Sequence, residues 1–233
     1  MNKSILLAMT LVLAPVACAA QTAKPPQTQG VQKAVTQLNA DLLRAVQAGN
    51  AERVSQLLGA GASPNAWDNT RRTALTWAAT GDHVAVARLL VSAGADPDPQ
   101  DNTRNNALLV TGETGSVAML REVLKARPDL TRTNRFGGTA LIPAADRGHL
   151  AYVRELLKTT NINVNHVNNL GWTALLEAVI LGDGGPTHTE IVRELLAHGA
   201  DPSVADKEGV TPLQHARQRG YREMVRLLTG AKQ

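Results

Sequence analysis

One short phrase returns five times along the chain: TALTWAAT from Thr73, NALLVTGE from Asn106, TALIPAAD from Thr139, TALLEAVI from Thr173 and TPLQHARQ from Thr211. The spacings are 33, 33, 34 and 38 residues, the last enlarged by the glycine-rich segment 182–187. A period near 33 is the length of one supersecondary unit that cannot bury its apolar face alone, so neighbouring units must stack. A stack offers long surfaces more readily than a deep catalytic pocket. Its layers must be packed by leucine, alanine and valine, because the 233 residues include only three Trp, two Tyr and one Phe.

Each unit reads as two helices. In the third, Thr139 is placed to cap a helix from Ala140, with Leu141, Ala144 and Ala145 as its buried stripe. A second helix follows over 149–158, with Leu150, Val153, Leu156 and Leu157 at helical spacing, and residues 163–167 read as extended. Val84, Val86, Leu89 and Leu90 repeat the pattern before AGADP, as do Ile191, Val192, Leu195 and Leu196 before HGADP. Glycine there suits the left-handed residue that ends a helix, and proline cannot continue one. Residues 59–64 close one further pair, over 41–59, that lacks the opening phrase.

The first 20 residues lie outside this pattern. MNK is a short basic start, residues 4–16 are an apolar run interrupted by Pro15, and Ala17-Cys18-Ala19-Ala20 offers small residues for cleavage. We expect a signal peptide over 1–20, cut near 19/20 or 20/21, and a soluble periplasmic product. The run is too short to span a bilayer, which takes about 20 apolar residues, and no later segment reaches that length. Cys18 is the only cysteine. Cleavage after it removes disulfide, thiol and thiolate-metal chemistry, whereas its acylation would make a lipoprotein, although Pro15 and Val16 match such a site poorly. Residues 21–37, with TAKPPQTQG, read as a flexible lead-in, 38–229 as the repeat domain and 230–233 as a tail. Losing Lys3 with the signal takes the formal charge from +4 to +3, too small a balance to argue for nucleic acid.

The phrase TALTWAA, the GADP closures, Gly148-His149-Leu150 and the final ADKEGVTPLQHARQRGY resemble ankyrin repeats, and the resemblance covers 38–229 with about six helix pairs. It resembles exported bacterial members of that family. The resemblance implies an all-α solenoid of stacked antiparallel helix pairs with projecting turns or β-hairpin fingers, whose concave surface is made by fingers and first helices. That surface would use fingers 66–72, 100–105, 133–138, 167–172 and 205–210, with the variable first-helix positions Trp77, Val110, Pro143, Glu177 and His215. Fold alone does not name a function.

Departures from the family pattern locate a candidate site. The family often has glycine four residues into the finger, as at Gly137, Gly171 and Gly209, but Arg71 and Arg104 stand there in two adjacent repeats. A non-glycine residue at positive φ costs roughly 1 kcal/mol or more, unless the turn relaxes. The scarce aromatics Trp67, Trp77, Phe136 and Trp172 all fall in fingers or at the variable position. With Arg71, Arg72, Arg104 and Arg135 they have the composition of an interface hot region. The alternative is that each ring packs between adjacent fingers.

Nothing in the sequence points to a cofactor or metal. The family's histidine after Thr-Pro-Leu is replaced at Thr76, Leu109, Ile142, Leu176 and Gln214, and His83 and His149 sit at second-helix starts as structural residues. Ser116 and Ser203 lack a nucleophile-elbow context, and no phosphate loop occurs. Asp183 and His188, in LGDGGPTHTE, could serve proton transfer but read better as a binding loop, with Thr187 or Thr189 capping a helix that restarts near Glu190. The expectation is therefore a noncatalytic periplasmic protein-binding scaffold, an accessory or inhibitor of an exported protein, with another protein as partner and weak self-association allowed. A lipid-anchored structural envelope protein and a small hydrolase are the alternatives.

Overall fold

A computed structural model describes residues 26–231, with side chains placed for 34–231. The expected signal peptide, Cys18 and the start of the lead-in lie outside the described residues. Within them twelve helices run in six antiparallel pairs: α1 Pro26–Gln47 with α2 Ala51–Gly59, α3 Ala74–Thr80 with α4 Val84–Ser92, α5 Ala107–Thr114 with α6 Val117–Lys125, α7 Leu141–Asp146 with α8 Leu150–Thr159, α9 Ala174–Ile180 with α10 Pro186–Ala197, and α11 Pro212–Gln218 with α12 Arg222–Gly230. First helices pack on first helices and second on second, giving two layers that run the length of the stack.

The layers are close because the recurring phrase is rich in alanine. Ala74, Ala78, Ala79, Ala144, Ala145, Ala174, Ala178 and Ala216 are all buried on first helices, where larger side chains would hold neighbours apart. The approach is tightest at Gly112 of α5, where a Cβ would lie 2.1 Å from the Ala140 carbonyl oxygen. Second helices bring the larger residues, among them Leu90, Val123, Leu156, Leu195 and Leu228, to the middle of the stack.

Four first helices open with the expected side-chain cap: Thr73, Asn106, Thr173 and Thr211 accept hydrogen bonds from the amides of Thr76, Leu109, Leu176 and Gln214. Thr139 does not. Its hydroxyl is buried without a partner, and α7 starts at Leu141 behind Ala140. Pro143 is the cause: it has no N–H for the Thr139 carbonyl and its ring crowds that carbonyl. The Ile142 amide bonds to the carbonyl instead, at 3.3 Å, tightening the first turn.

Four other expectations need correction. The fingers are not β-hairpins. Among the described residues there is no strand, only one antiparallel bridge between Trp67 and Thr73, because each finger turns within five residues and leaves no length for a ladder. The expected flexible lead-in over 21–37 overlaps helix, since α1 reaches back to Pro26, an opening proline being compatible with a first turn. The insertion restarts as helix at Pro186 behind Gly185, earlier than Glu190 and without a threonine cap. Residues 163–167 are also not simply extended, as His166 donates its amide to the Asn163 carbonyl in a turn.

Candidate partner-binding face

All five fingers are built the same way. The side chain of Asp68, Asp101, Asn134, Asn168 or Asp206 accepts backbone amides two and four residues on, as with Thr70 at 2.8 Å and Arg72 at 3.0 Å around Asp68, and Phe136 at 2.9 Å and Gly138 at 3.0 Å around Asn134. The same turns are made by Asp101, Asn168 and Asp206. This arrangement forces a left-handed residue three positions along. Arg71 and Arg104 occupy it at φ 65° and 61°, beside Gly137 at 75°. The turns have not relaxed around the arginines, so both side chains are held at finger tips despite the conformational cost.

Fingers are also tied to the first helices behind them. Trp77 donates its indole N–H to Asp68 at 2.8 Å, Asn168 donates to Glu177 at 2.8 Å, and His215 donates to Asp206 at 2.6 Å. Val110 and Pro143 cannot make this bond. Asp101 is instead held by Arg72 of the preceding finger, through Nε at 3.0 Å and Nη2 at 2.8 Å. Burial pushes the Asp101 carboxyl up, but the hydrogen bonds from Thr103, the Asn105 amide and Arg72 outweigh it and hold it below the usual carboxylate range.

The sequence-predicted residues consequently separate into two groups. Arg72 and Trp77 form an internal clamp: the guanidinium lies 4.7 Å over the indole while gripping Asp101, and both residues are half-buried. Trp172 is half-buried too. By contrast, Trp67 is 59% exposed with Arg71 beside its ring, Phe136 is 57% exposed with Arg135 4.7 Å over its ring, and Arg104 is exposed. Among the described residues Arg71, Arg104 and Arg135 make no ion pair with any carboxylate. Leu170, within the expected finger 167–172 but not among the named site residues, extends the row at 54% exposure.

Between the fingers the concave face is indented. The Asn102 amide bonds to the Thr70 carbonyl and the Asn169 amide to the Phe136 carbonyl, each at 3.0 Å, whereas the second finger is joined to the third by the Gln100 side chain, which donates to the Thr133 carbonyl at 2.9 Å. A cavity of about 250 Å³ opens between these two fingers, lined by Thr103, Asn105, Arg135 and Arg147. A neighbouring one of about 180 Å³, between third and fourth fingers, is lined by Phe136, Pro143, Leu170, Asp146, Asn168 and Glu177. Glu177 is only 6% exposed. Burial, with Asp146 adding repulsion, pushes its carboxyl up to about 7 against the pull of the Asn168 hydrogen bond. The sequence signal for this group was a lone carboxylate inside the apolar run ALLEAVI.

The Asp183 and His188 pair belongs to the stack. His188 bonds through Nε2 to the Asp146 carbonyl at 2.9 Å and through Nδ1 to Asp183 at 3.1 Å. His83 reaches the Gln47 carbonyl, His149 the Glu113 carbonyl and Tyr221 the Gly182 carbonyl in the same manner, each joining the start of a second helix to the end of the preceding first helix. His188 is thus one of four stitches between units. Among the described residues no three His, Cys, Asp or Glu side chains are grouped to hold a metal ion, and no helix is long and apolar enough to cross a membrane.

Comparison with known proteins agrees with this geometry. A family profile described as ankyrin repeats (3 copies) matches residues 42–134 and 108–206, and one described as ankyrin repeats (many copies) matches 186–229. A putative ankyrin repeat protein of Escherichia coli K12, YahD, is 54% identical over 72 residues, 31% of this chain and 36% of that protein, so the match spans about a third of that relative's length. An ankyrin repeat domain from Acinetobacter baumannii AYE superposes with a TM-score of 0.79 at 47% identity, covering 82% of this chain and 97% of the other. The ankyrin repeat domain of Bcl-3, a member of the IkappaB family, does so with a TM-score of 0.73 at 30% identity, covering 82% and 85%. The chain belongs to the ankyrin-repeat family, whose fold is a noncatalytic scaffold suited to binding other proteins.

Proposed function

We propose that this protein is a noncatalytic periplasmic scaffold that docks an exported protein on its finger face and acts as that protein's accessory or inhibitor. The observation that carries the reading is the row of Trp67, Phe136 and Leu170, each more than half exposed on a fixed turn, beside Arg71, Arg104 and Arg135, which make no ion pair among the described residues. Apolar rings supply contact area and free guanidinium groups recognise carboxylates, the pairing common in interface hot spots. Because the finger backbones are pinned, little ordering entropy opposes docking. Arg72 and Trp77 support the face from behind. Export is supported by the basic start, the apolar run and the small residues before residue 21.

Capture of periplasmic proteins by the intact mature chain, with Trp67→Ala and Phe136→Ala run in parallel, tests the docking face. One stoichiometric partner lost from both variants is expected, while circular dichroism and unfolding midpoints stay near wild type. A partner retained equally by both variants would overturn the reading. Intact-mass analysis of the exported chain tests its address. A start at Ala20 or Gln21 is expected, an acylated Cys18 would make the protein lipid-anchored, and an unprocessed chain in the cytoplasm would end the periplasmic proposal.

A further inference from the structure

We propose that the cavity between the third and fourth fingers is a socket for a lysine side chain of the docked protein, with the ammonium group seated on Glu177. The inference rests on the finger face being the docking surface, and it adds what chemistry that surface selects. The 180 Å³ cavity is divided by chemistry: Phe136, Pro143 and Leu170 supply apolar wall, and Glu113, Asp146 and Glu177 supply carboxylates. Glu177 has surrendered almost all its hydration. Asn168 donates to its Oε1, and among the described residues no group donates to its Oε2. That oxygen is not among the buried unpartnered atoms and Glu177 lines the cavity, so a cationic donor brought from outside can reach it and offset the repulsion from Asp146.

Three arguments favour an ammonium group on an alkyl stem. A guanidinium is held best by two acceptor oxygens in a fork, and Glu177 has one to spare because Asn168 holds the other. A divalent cation needs several converging oxygen ligands, and no three acidic or imidazole side chains are so grouped among the described residues. A bare small cation would leave the Phe136 and Leu170 surfaces wet, whereas the four methylenes of lysine would cover them on the way in. The opposing charge is Arg147, which lines the cavity from the end of α7, is exposed, and is free to turn away into solvent. His149 and His188 bond to the backbone carbonyls of Glu113 and Asp146, so neither imidazole supplies the missing donor.

The test uses the full-length protein, isotopically labelled, with Nα-acetyl-lysine N-methylamide as probe and its Nε-acetylated form as the neutral control. Amide shifts at Phe136, Leu170 and Glu177 are expected with the charged probe and not with the control. Glu177→Gln, whose fold is checked by thermal unfolding, should weaken the charged probe about tenfold or more, the worth of one charge-assisted hydrogen bond. Equal response to both probes, shifts confined to other repeats, or unchanged affinity in Glu177→Gln would overturn the socket. If the socket fails while Trp67→Ala and Phe136→Ala still release the captured partner, the docking face survives without it. If the probe binds while neither finger variant affects capture, the docking face fails and the lysine-of-a-partner assignment fails with it.

Discussion

Glu177 ties the stability of the whole stack to pH, and the sign can be worked out from its environment. Its carboxyl titrates near its ordinary value of 4.5 in an unfolded chain and at about 7 in the folded one. Between those values the folded protein holds a proton that the unfolded chain has released, so unfolding releases a proton and rising pH favours it. The contribution is fully present below about pH 4.5 and is lost as pH rises through 7. Its size follows from 1.36 kcal/mol per pH unit over that interval, roughly 3 kcal/mol. Glu177→Gln keeps the shape and the acceptor for Asn168 while removing the titration. The variant should match wild type below about pH 4 and exceed it by up to roughly 3 kcal/mol at pH 8. Urea denaturation of both proteins at half-unit pH intervals measures the difference, and in it the other carboxylates cancel. A difference that does not change by more than about 0.5 kcal/mol between pH 5 and pH 8, or that grows toward acid, would refute the assignment of a neutral, buried carboxyl to Glu177.

Further perturbations probe the packing and the fingers. Leu156→Ala, at a fully buried position of α8, should cost about 2–5 kcal/mol in reversible denaturation; a loss under about 0.5 kcal/mol would mean the side chain is not between layers. Gly112→Ala should destabilise by at least about 1 kcal/mol although alanine favours helix, because the new methyl meets backbone rather than a movable side chain. Gly59→Ala, facing open space at the end of α2, is its control and should be neutral or stabilising, so equal midpoints for the two variants would contradict the close approach of α5 to α7. Arg104→Gly should raise the unfolding midpoint, as glycine relieves a φ of 61° worth about 1 kcal/mol or more, yet weaken the captured partner in calorimetry. A lowered midpoint would show that the Arg104 side chain serves the fold.

The layered helices were legible because they depend on composition repeated at fixed spacing, and a repeated error-free pattern is hard to produce by chance. Where local chemistry interrupts the pattern, the sequence reading failed for identifiable reasons. Thr139 sits at the same place in its phrase as Thr73 and Thr173, but Pro143 cannot donate to the Thr139 carbonyl, so the Ile142 amide that would reach the hydroxyl goes to that carbonyl instead, and position in the repeat concealed that. The β-hairpin fingers were an inference from resemblance. The deciding residue was present in every unit, an Asp or Asn at the turn's first position, which satisfies the turn's amides and leaves a strand nothing to pair.

The candidate face was legible in its residue types and only partly in how those residues are partnered. Arginine and tryptophan were grouped by type, yet Arg72 and Trp77 serve each other and Asp101, while Arg71 and Trp67, from the same finger, face solvent. The distinction is one of partners across a repeat boundary: Arg72 lies 29 residues from Asp101, close to one period, and a carboxylate at that offset could have been looked for. Glu177 was present among the variable positions but was treated as one surface residue among five. Its significance comes from Asn168 and Asp146, which a linear reading keeps apart and the stacking of α7 on α9 brings together. If the finger face is the docking surface, its exposed arginines and rings receive the partner, and the recessed Glu177 carboxylate favours a projecting cationic side chain over a flat surface.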